Sequence, residues 1–169
     1  MVFIAIGSNI QPLTNIKDAL HLMAKELRLS GLSTFYESPP IGSPGSPWFV
    51  NGVVAVRTAL PPRRLKFGLL REIERKLGRV RSEDLYAPRT IDLDIIVYEG
   101  VVVREPDLVI PDPEIVSRSF LAIPLYELAP HLVISGIGTL REIVEGMHNP
   151  ELRPLVDFTR ALREEFEDK

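Results

Sequence analysis

The chain has 169 residues, 45% hydrophobic and 25% charged, with a formal net charge of −3. That length suits one domain with a real core and is too short for two, and the negative charge argues against a general nucleic-acid or membrane-surface binder. The absence of cysteine excludes disulfides, thiolate zinc sites and a cysteine nucleophile.

Residues 1–169 are accordingly expected to form a single domain. Met1-Val2-Phe3-Ile4 reads as strand rather than as a leader, and no run approaches the roughly 18 apolar residues of a membrane span. A cytoplasmic monomer with no nucleic-acid or membrane partner is the expectation.

Residues 2–6 form an aliphatic run closed by Gly7-Ser8-Asn9, a strand and then a turn. Leu13, Ile16, Leu20, Met23 and Leu27 recur at helical spacing, which predicts an amphipathic helix with Pro12 in its first turn and Gly31 beyond its end. Residues 32–38 read as a strand, and the stretch that follows as a long loop stiffened by proline and articulated by glycine. Residues 49–58 form a strand with Val50, Val54 and Val56 on one side and Phe49, Asn51, Val53 and Ala55 on the other. Pro61-Pro62 opens a second helix with the stripe Leu65, Leu69, Ile73 and Leu77, terminated by a left-handed Gly78.

A polar loop, residues 79–89, leads into a strand over 92–98. The order strand, helix, strand, strand, helix, strand predicts an α+β fold with a ferredoxin-like split βαβ core, an antiparallel sheet with helices on one face. The remainder is read as C-terminal extensions of that core. Residues 101–103 are expected to pair back as a hairpin around Glu99-Gly100, and 106–113 to be irregular. Residues 117–128 are expected to form a helix interrupted at Pro124, and 139–145 and 158–167 to be helical. The tail from 149 is expected to pack on the core without joining the chemistry.

Asp92 and Asp94 share one face of the last core strand, while Ile91, Leu93 and Ile95 take the other. A rise of about 3.3 Å per residue puts their Cα atoms roughly 6.5–7 Å apart, and carboxylates converging from that distance can hold one or two hard cations. An Asp-x-Asp taken alone is more often the solvated face of an edge strand. Here, however, fifteen of the twenty cationic residues are arginine, the residue favoured where phosphate is gripped by a fork of donors. Arg71, Arg75, Arg79, Arg81 and Arg89 crowd the end of the second helix and the loop after it. Aspartates able to hold metal, facing arginines, are the recurring setting of phosphoryl transfer.

Arg71 and Arg75, beside Glu72 and Glu74, also read as a solvated helix face; Arg81 and Arg89, in the loop leading to the aspartates, are the stronger candidates. Residues 39–48 and 79–89 are long enough to act as lids. Phe49 and Asn51 can stack on a heteroaromatic ring and hydrogen-bond its edge, or be a core phenylalanine beside a turn-pairing asparagine. His21, His131 and His148 lack ligand spacing, no P-loop is present, and Gly7-Ser8-Asn9 alone reads as a βα turn rather than a phosphate cradle.

Five motifs occur in order: Ala5-Ile6-Gly7-Ser8-Asn9, Phe35-Tyr36-Glu37-Ser38-Pro39-Pro40, Phe49-Val50-Asn51, Leu77-Gly78-Arg79-Val80-Arg81, and Pro88-Arg89-Thr90-Ile91-Asp92-Leu93-Asp94-Ile95. Over residues 2–128 the chain resembles the 6-hydroxymethyl-7,8-dihydropterin pyrophosphokinase family of folate biosynthesis. The resemblance implies transfer of the β,γ-diphosphate of ATP, the co-substrate, to the hydroxymethyl oxygen of the pterin, releasing AMP. It places two Mg²⁺ ions on Asp92 and Asp94 and gives catalytic roles to Arg81, Arg89, Asp92 and Asp94. Arg71, Glu74, Arg81, Tyr86, Arg89, Ile95, Asp112 and Arg118 would line the nucleotide site. Ser38, Pro39, Ile41, Phe49, Asn51, Tyr86, Asp92 and Phe120 would line the pterin pocket.

Departures from the family pattern stand out. Tyr86 takes the place of a usual tryptophan, and Leu85 that of an arginine in some members. Arg71 replaces a polar amide near the adenine. In Pro111-Asp112-Pro113, aspartate stands where histidine is frequent and cannot donate to phosphate, so either the nucleotide contacts differ or affinity is weaker. Asp112 also keeps open a catalytically lapsed relative that only binds nucleotide or pterin. An RNA-binding module on a ferredoxin-like sheet is the other alternative; it wants adjacent sheet aromatics and a basic face, and strands one and three show neither clearly.

Overall fold

The computed structural model describes residues 1–42, 44–148 and 151–167. Strand β1 (Val2–Ser8) runs into helix α1 (Pro12–Ala24), then β2 (Arg28–Leu32), β3 (Tyr36–Ser38) and β4 (Phe49–Arg57). Helical turns over Arg64–Leu70 continue into α2 (Arg71–Lys76), and β5 (Asp92–Tyr98) follows the 79–89 loop. With the short strand β10 (Arg153–Pro154) at one edge, the sheet order is β10-β3-β4-β1-β5, with β2 also on β4, and all these pairs are antiparallel. Without β10, this is the fourth, first, third and second strand of a split βαβ unit, the ferredoxin-like arrangement expected.

Alternation along the central strands builds a core on each face. Ile4, Ile6, Val50, Val54, Val56, Leu93 and Ile95 pack with Ile16, Leu20 and Met23 of α1 and with Leu65, Leu70 and Ile73. On the other face Phe3, Val53, Ala55, Ile96 and Val97 meet α3 (Ser119–Leu128) and α4 (Leu140–Glu145). The core helices therefore lie on one face as expected, while α3 and α4 of the C-terminal extension cover the other. A register shift in the β1–β5 ladder, where Ile4 pairs Ile95 and Phe3 pairs Val97, turns both Ile96 and Val97 to that second face.

Several local expectations are corrected. Leu13 is exposed rather than part of the helix stripe, because it lies in the first turn beyond the edge of the sheet contact. Gly31 does not end α1; it sits within β2 at a bulge against β4. The strand expected over 32–38 is broken into the end of β2 and β3, with Ser33 accepting and donating across the gap through Val53.

The second helix begins with π-helical turns over Arg64–Leu70. Leu70 rather than Leu69 is buried, because wider turns place residues five apart, Leu65 and Leu70, above one another. Gly78 does terminate the helix in the left-handed region, and the bonds Arg79 N to Glu74 O and Gly78 N to Arg75 O make a Schellman motif.

Residues 101–103 do not pair back on β5; β6 (Val103–Glu105) pairs with β7 (Leu108–Ile110), which also makes part of 106–113 regular. Pro124 lies inside an unbroken α3. Burial of Leu121, Ala122 and Leu125 offsets the roughly 3 kcal/mol that an interior proline costs.

After β8 (Val133–Ile134), β9 (Gly138–Thr139) and α4, the chain adds β10 to β3 and ends in α5 (Val156–Phe166). Helix α5 packs on the first face through Leu162 and Phe158, the latter edge-on to Phe35 at 5.8 Å. The expectation for the tail falls partly on 149–150 and 168–169, which lie outside the described residues.

Candidate active site

The first turn of the 39–48 loop, the end of the 79–89 loop and the open end of the sheet enclose a cleft of about 200 Å³. Ser38, Pro39, Ile41, Phe49, Asn51 and Phe120 line it. So do Asp92, Asp94, Arg89 and Arg118, together with Tyr86 and Asp112. The structure thus brings together twelve of the residues singled out above. Arg71, Glu74, Arg81 and Ile95 stand outside this lining.

Each of those four has a definite position. Arg71 stacks on the ring of Phe67, its guanidinium carbon 4.7 Å from the ring centroid. Ile95 points its side chain into the core under α1 and is 4% exposed. What it can offer a ligand is backbone: β5 is the sheet edge, and Leu93, two residues earlier, directs its N–H and C=O outward to Glu74 and Lys66. Glu74 is a buried hub, 2% exposed, and Arg81 is tied to it.

The hub reads as a charge ladder running from α2 to the cleft. Arg81 Nη2 donates to Glu74 Oε1 at 2.8 Å, and Arg79 Nη1 donates to Glu74 Oε2 and to Asp92 Oδ1, the latter at 2.6 Å. Arg89 Nη1 donates to Asp92 Oδ2 at 2.9 Å, and Leu93 N donates to Glu74 Oε2 at 3.2 Å. Arg89 is itself fixed through its backbone, whose N–H donates to Asn9 Oδ1 at 2.7 Å while its carbonyl accepts from Asn9 N at 3.1 Å. Gly7-Ser8-Asn9 is therefore a tether for the Arg89 loop as well as the end of a strand.

These surroundings separate the two aspartates. Burial pushes Asp92 up, but the charges of Arg79 and Arg89 outweigh it and hold the carboxyl below its ordinary value. Burial and the neighbouring Asp92 charge push Asp94 up, against the pull of Lys66. Glu74 is raised by burial in spite of Arg79. Asp112 is also raised by burial; its Oδ1 accepts from Glu114 N at 2.9 Å, capping the 3₁₀ turn Pro113–Val116.

Two cleft features carried no mark in the sequence. Gly7 faces Asn51 across the β1–β4 ladder, and a Cβ on it would lie 2.5 Å from Asn51 Oδ1. Only glycine leaves that amide its place, where Asn51 Nδ2 also donates to Ser38 Oγ at 3.3 Å. Lys66 is the second: its Nζ pairs with Asp94 Oδ1 and donates to Leu93 O at 3.0 Å, with the side chain 12% exposed. Nothing in a Leu-Lys-Phe run signals such a contact; the π-helical turns create it.

The donor set suits a magnesium ion. Two carboxylates on one strand face supply hard oxygens, and Mg²⁺ is commonly held by one or two carboxylates with substrate phosphates and water completing the shell. Among the described residues no group of three or more His, Cys, Asp or Glu side chains makes an all-protein metal cage.

A ferredoxin-like sheet whose open end gathers carboxylates, arginines, aromatics and an amide in one cleft defines a small-molecule site with charge-neutralising groups. The family model described as 7,8-dihydro-6-hydroxymethylpterin-pyrophosphokinase (HPPK) matches residues 3–130. A 2-amino-4-hydroxy-6-hydroxymethyldihydropteridine pyrophosphokinase of Methylorubrum extorquens is 41% identical over 143 residues, 83% of this chain and 89% of the relative. The enzyme of that name from Pseudomonas aeruginosa is 39% identical over 161 residues, covering 93% and 92%. The crystal structure of Plasmodium falciparum HPPK-DHPS wild type with SDX-DHP superposes with a TM-score of 0.62 over 98% of this chain and 45% of that one; at 13% identity, this likeness speaks to the fold. The chain belongs to the 7,8-dihydro-6-hydroxymethylpterin-pyrophosphokinase family.

Proposed function

We infer that the chain is a pterin pyrophosphokinase of folate biosynthesis, transferring a diphosphoryl group to the hydroxymethyl oxygen of 6-hydroxymethyl-7,8-dihydropterin. The observation that carries this reading is the meeting, in one cleft, of the charged side chains Asp92, Asp94, Arg89 and Arg118 with the aromatic and amide side chains Phe49, Asn51 and Phe120. We propose ATP as the donor. The pterin oxygen bonds to the β-phosphorus, the bond from that phosphorus to the bridging oxygen breaks, AMP leaves with that oxygen, and the hydroxyl proton is released.

Within this reading Asn51 offers the pterin edge a donor and an acceptor, steadied by Ser38. Phe49 and Phe120 supply stacking surfaces, with Pro39 and Ile41 closing the side of the pocket. Tyr86, its ring against Gly42, would add a further aromatic surface to the same cleft. Arg89 and Arg118 face the phosphates; among the described residues Arg118 has no ion-pair partner, which suits it to an anionic ligand. Arg81, held by Glu74 at the base of the 79–89 loop, would reach the same phosphates, with Arg71 and the backbone of Ile95 on the nucleotide side. Mg²⁺ on Asp92 and Asp94, two ions in our proposal, would neutralise the polyphosphate and lower the repulsion met by the incoming oxygen.

The test is to incubate the protein with ATP, Mg²⁺ and the pterin and follow the adenine product. AMP is expected. ADP would overturn the diphosphoryl step, and binding of both substrates without AMP would favour a lapsed relative.

A further inference from the structure

We propose that Lys66 is a positioning residue built into the fold as an internal counter-cation for Asp94, and that it competes there with the divalent ion and so sets metal affinity. The inference rests on the reading of Asp94 as a metal ligand and concerns a side chain that this reading did not use.

Three observations carry it. The first is direct contact: Nζ of Lys66 pairs with Asp94 Oδ1 and donates to the carbonyl of Leu93 at 3.0 Å. The second is confinement. The lysine side chain is only 12% exposed, so its ammonium is not a solvated charge that happens to swing nearby. The third is how it gets there. The π-helical turns over Arg64–Leu70 keep Leu65 and Leu70 buried in the core, and Lys66, next to the first of them, is aimed at the edge of β5. π-Helical turns are rare and recur at functional sites.

The distribution of cations makes the arrangement specific. Asp92 has both oxygens engaged by arginines, Arg79 and Arg89, which belong to the ladder ending on Glu74. Asp94 is paired by Lys66 on one oxygen, Oδ1. A lysine is a compact point charge on a flexible stem with rotatable donors, unlike the planar fork of arginine. Lys66 can therefore withdraw from Asp94 while keeping Leu93 O as a partner. In the metal-free protein it compensates Asp94, whose neighbour Asp92 already has its own cations. When a divalent ion binds, Lys66 yields Oδ1 and its charge remains beside the phosphates.

A ligand whose site is only fractionally available binds with an apparent affinity reduced by that fraction. Replacing Lys66 by a neutral side chain removes the competitor, so the metal should bind more tightly. A merely structural lysine would give the opposite, since its loss would loosen the strand.

The experiment titrates Mn²⁺ into the full chain without nucleotide, reading free Mn²⁺ by electron paramagnetic resonance, for wild type, Lys66→Met and Lys66→Gln. The dissociation constant should fall by at least about threefold in both variants, with Asp94→Asn abolishing the gain. The glutamine variant retains a donor for Leu93 O and serves should the methionine variant fail to fold. An unchanged or weaker affinity in the folded variants overturns the role of Lys66 alone. A wild-type chain that takes up no Mn²⁺ even with a non-hydrolysable ATP analogue present overturns the metal reading of Asp94, and this inference with it.

Discussion

Asp92 and Asp94 occupy one strand face yet answer to different neighbours, Asp92 to two arginines and Asp94 to a lysine. If both hold the metal that carries the polyphosphate, neither can be spared. Asp92→Ala and Asp94→Ala are each expected to lower turnover at least about 100-fold, the scale of losing a preorganised charge-stabilising group, with the circular dichroism spectrum retained. AMP release near the wild-type rate in both variants would remove the metal role. Gly7 makes a different demand. A methyl there would meet Asn51 Oδ1 at 2.5 Å, so Gly7→Ala should displace the amide and raise the pterin dissociation constant about tenfold, the equivalent of roughly 1.4 kcal/mol, in calorimetric titration; nucleotide binding should hardly change. That Asn51 could face a ligand was one of two readings of the Phe-Val-Asn motif, and the structure puts it in the cleft lining. That Gly7 makes room for it was not legible in the sequence, because the contact joins strands 44 positions apart in the ladder pair Gly7–Asn51.

At the scale of elements, the end of α2 does more than stop a helix. Gly78 turns the chain so that Arg79 folds back over Glu74 and on to Asp92, tying helix, loop and edge strand together. Glu74 is 2% exposed and serves two arginines and the Leu93 amide. Removing one partner from a buried ion pair costs about 3–5 kcal/mol because the remaining charge is left uncompensated. Glu74→Ala should therefore lose about 3 kcal/mol in urea unfolding and lower activity through Arg81 and Asp92; a loss under about 1 kcal/mol would show the network to be effectively solvated. Periodicity located this helix and its glycine stop. It misplaced the buried position by one residue, since a 3.6-residue period cannot register turns that place Leu65 over Leu70.

At the scale of the whole molecule, both faces of the sheet are covered, one by α1, α2 and α5 and the other by α3 and α4. A ferredoxin-like RNA reader needs an open sheet face for its bases, and this fold spends that face on packing.

The C-terminal half also fastens the far edge of the sheet. Tyr36 on β3 donates to Glu127 on α3, whose Oε2 also accepts from Thr34 N at 2.8 Å. Burial first, and then the bond and charge of Glu127, push the Tyr36 hydroxyl from 10.0 up to about 12. A proton held more tightly in the folded state contributes stability that is whole below the unfolded value and is lost as pH rises through the folded one. Stability should therefore fall between about pH 10 and 12, and Tyr36→Phe should flatten that fall in denaturant midpoints. An identical slope in the variant would assign it elsewhere.

The loops over the cleft meet where Gly42, at φ +72°, leaves space for the Tyr86 ring, and Leu85, next in the chain to Tyr86, stands exposed. Proteolysis within 39–48 and 79–89 is expected to slow when an ATP analogue and pterin are added together; unchanged cleavage would argue against closure.

Alternation, helical spacing and the glycine and proline stops are short-range signals, and they determined the strand order of the core, most of its helices, the two cleft loops and the aspartate pair. What they could not hold is any contact between elements distant along the chain. Tertiary structure decided that residues beyond Tyr98 close the second sheet face, that Asn9 tethers Arg89, that Gly7 accommodates Asn51 and that Lys66 stands on Asp94. A side chain's partner is fixed by how helices and strands pack, and packing is settled by the fit of the whole core.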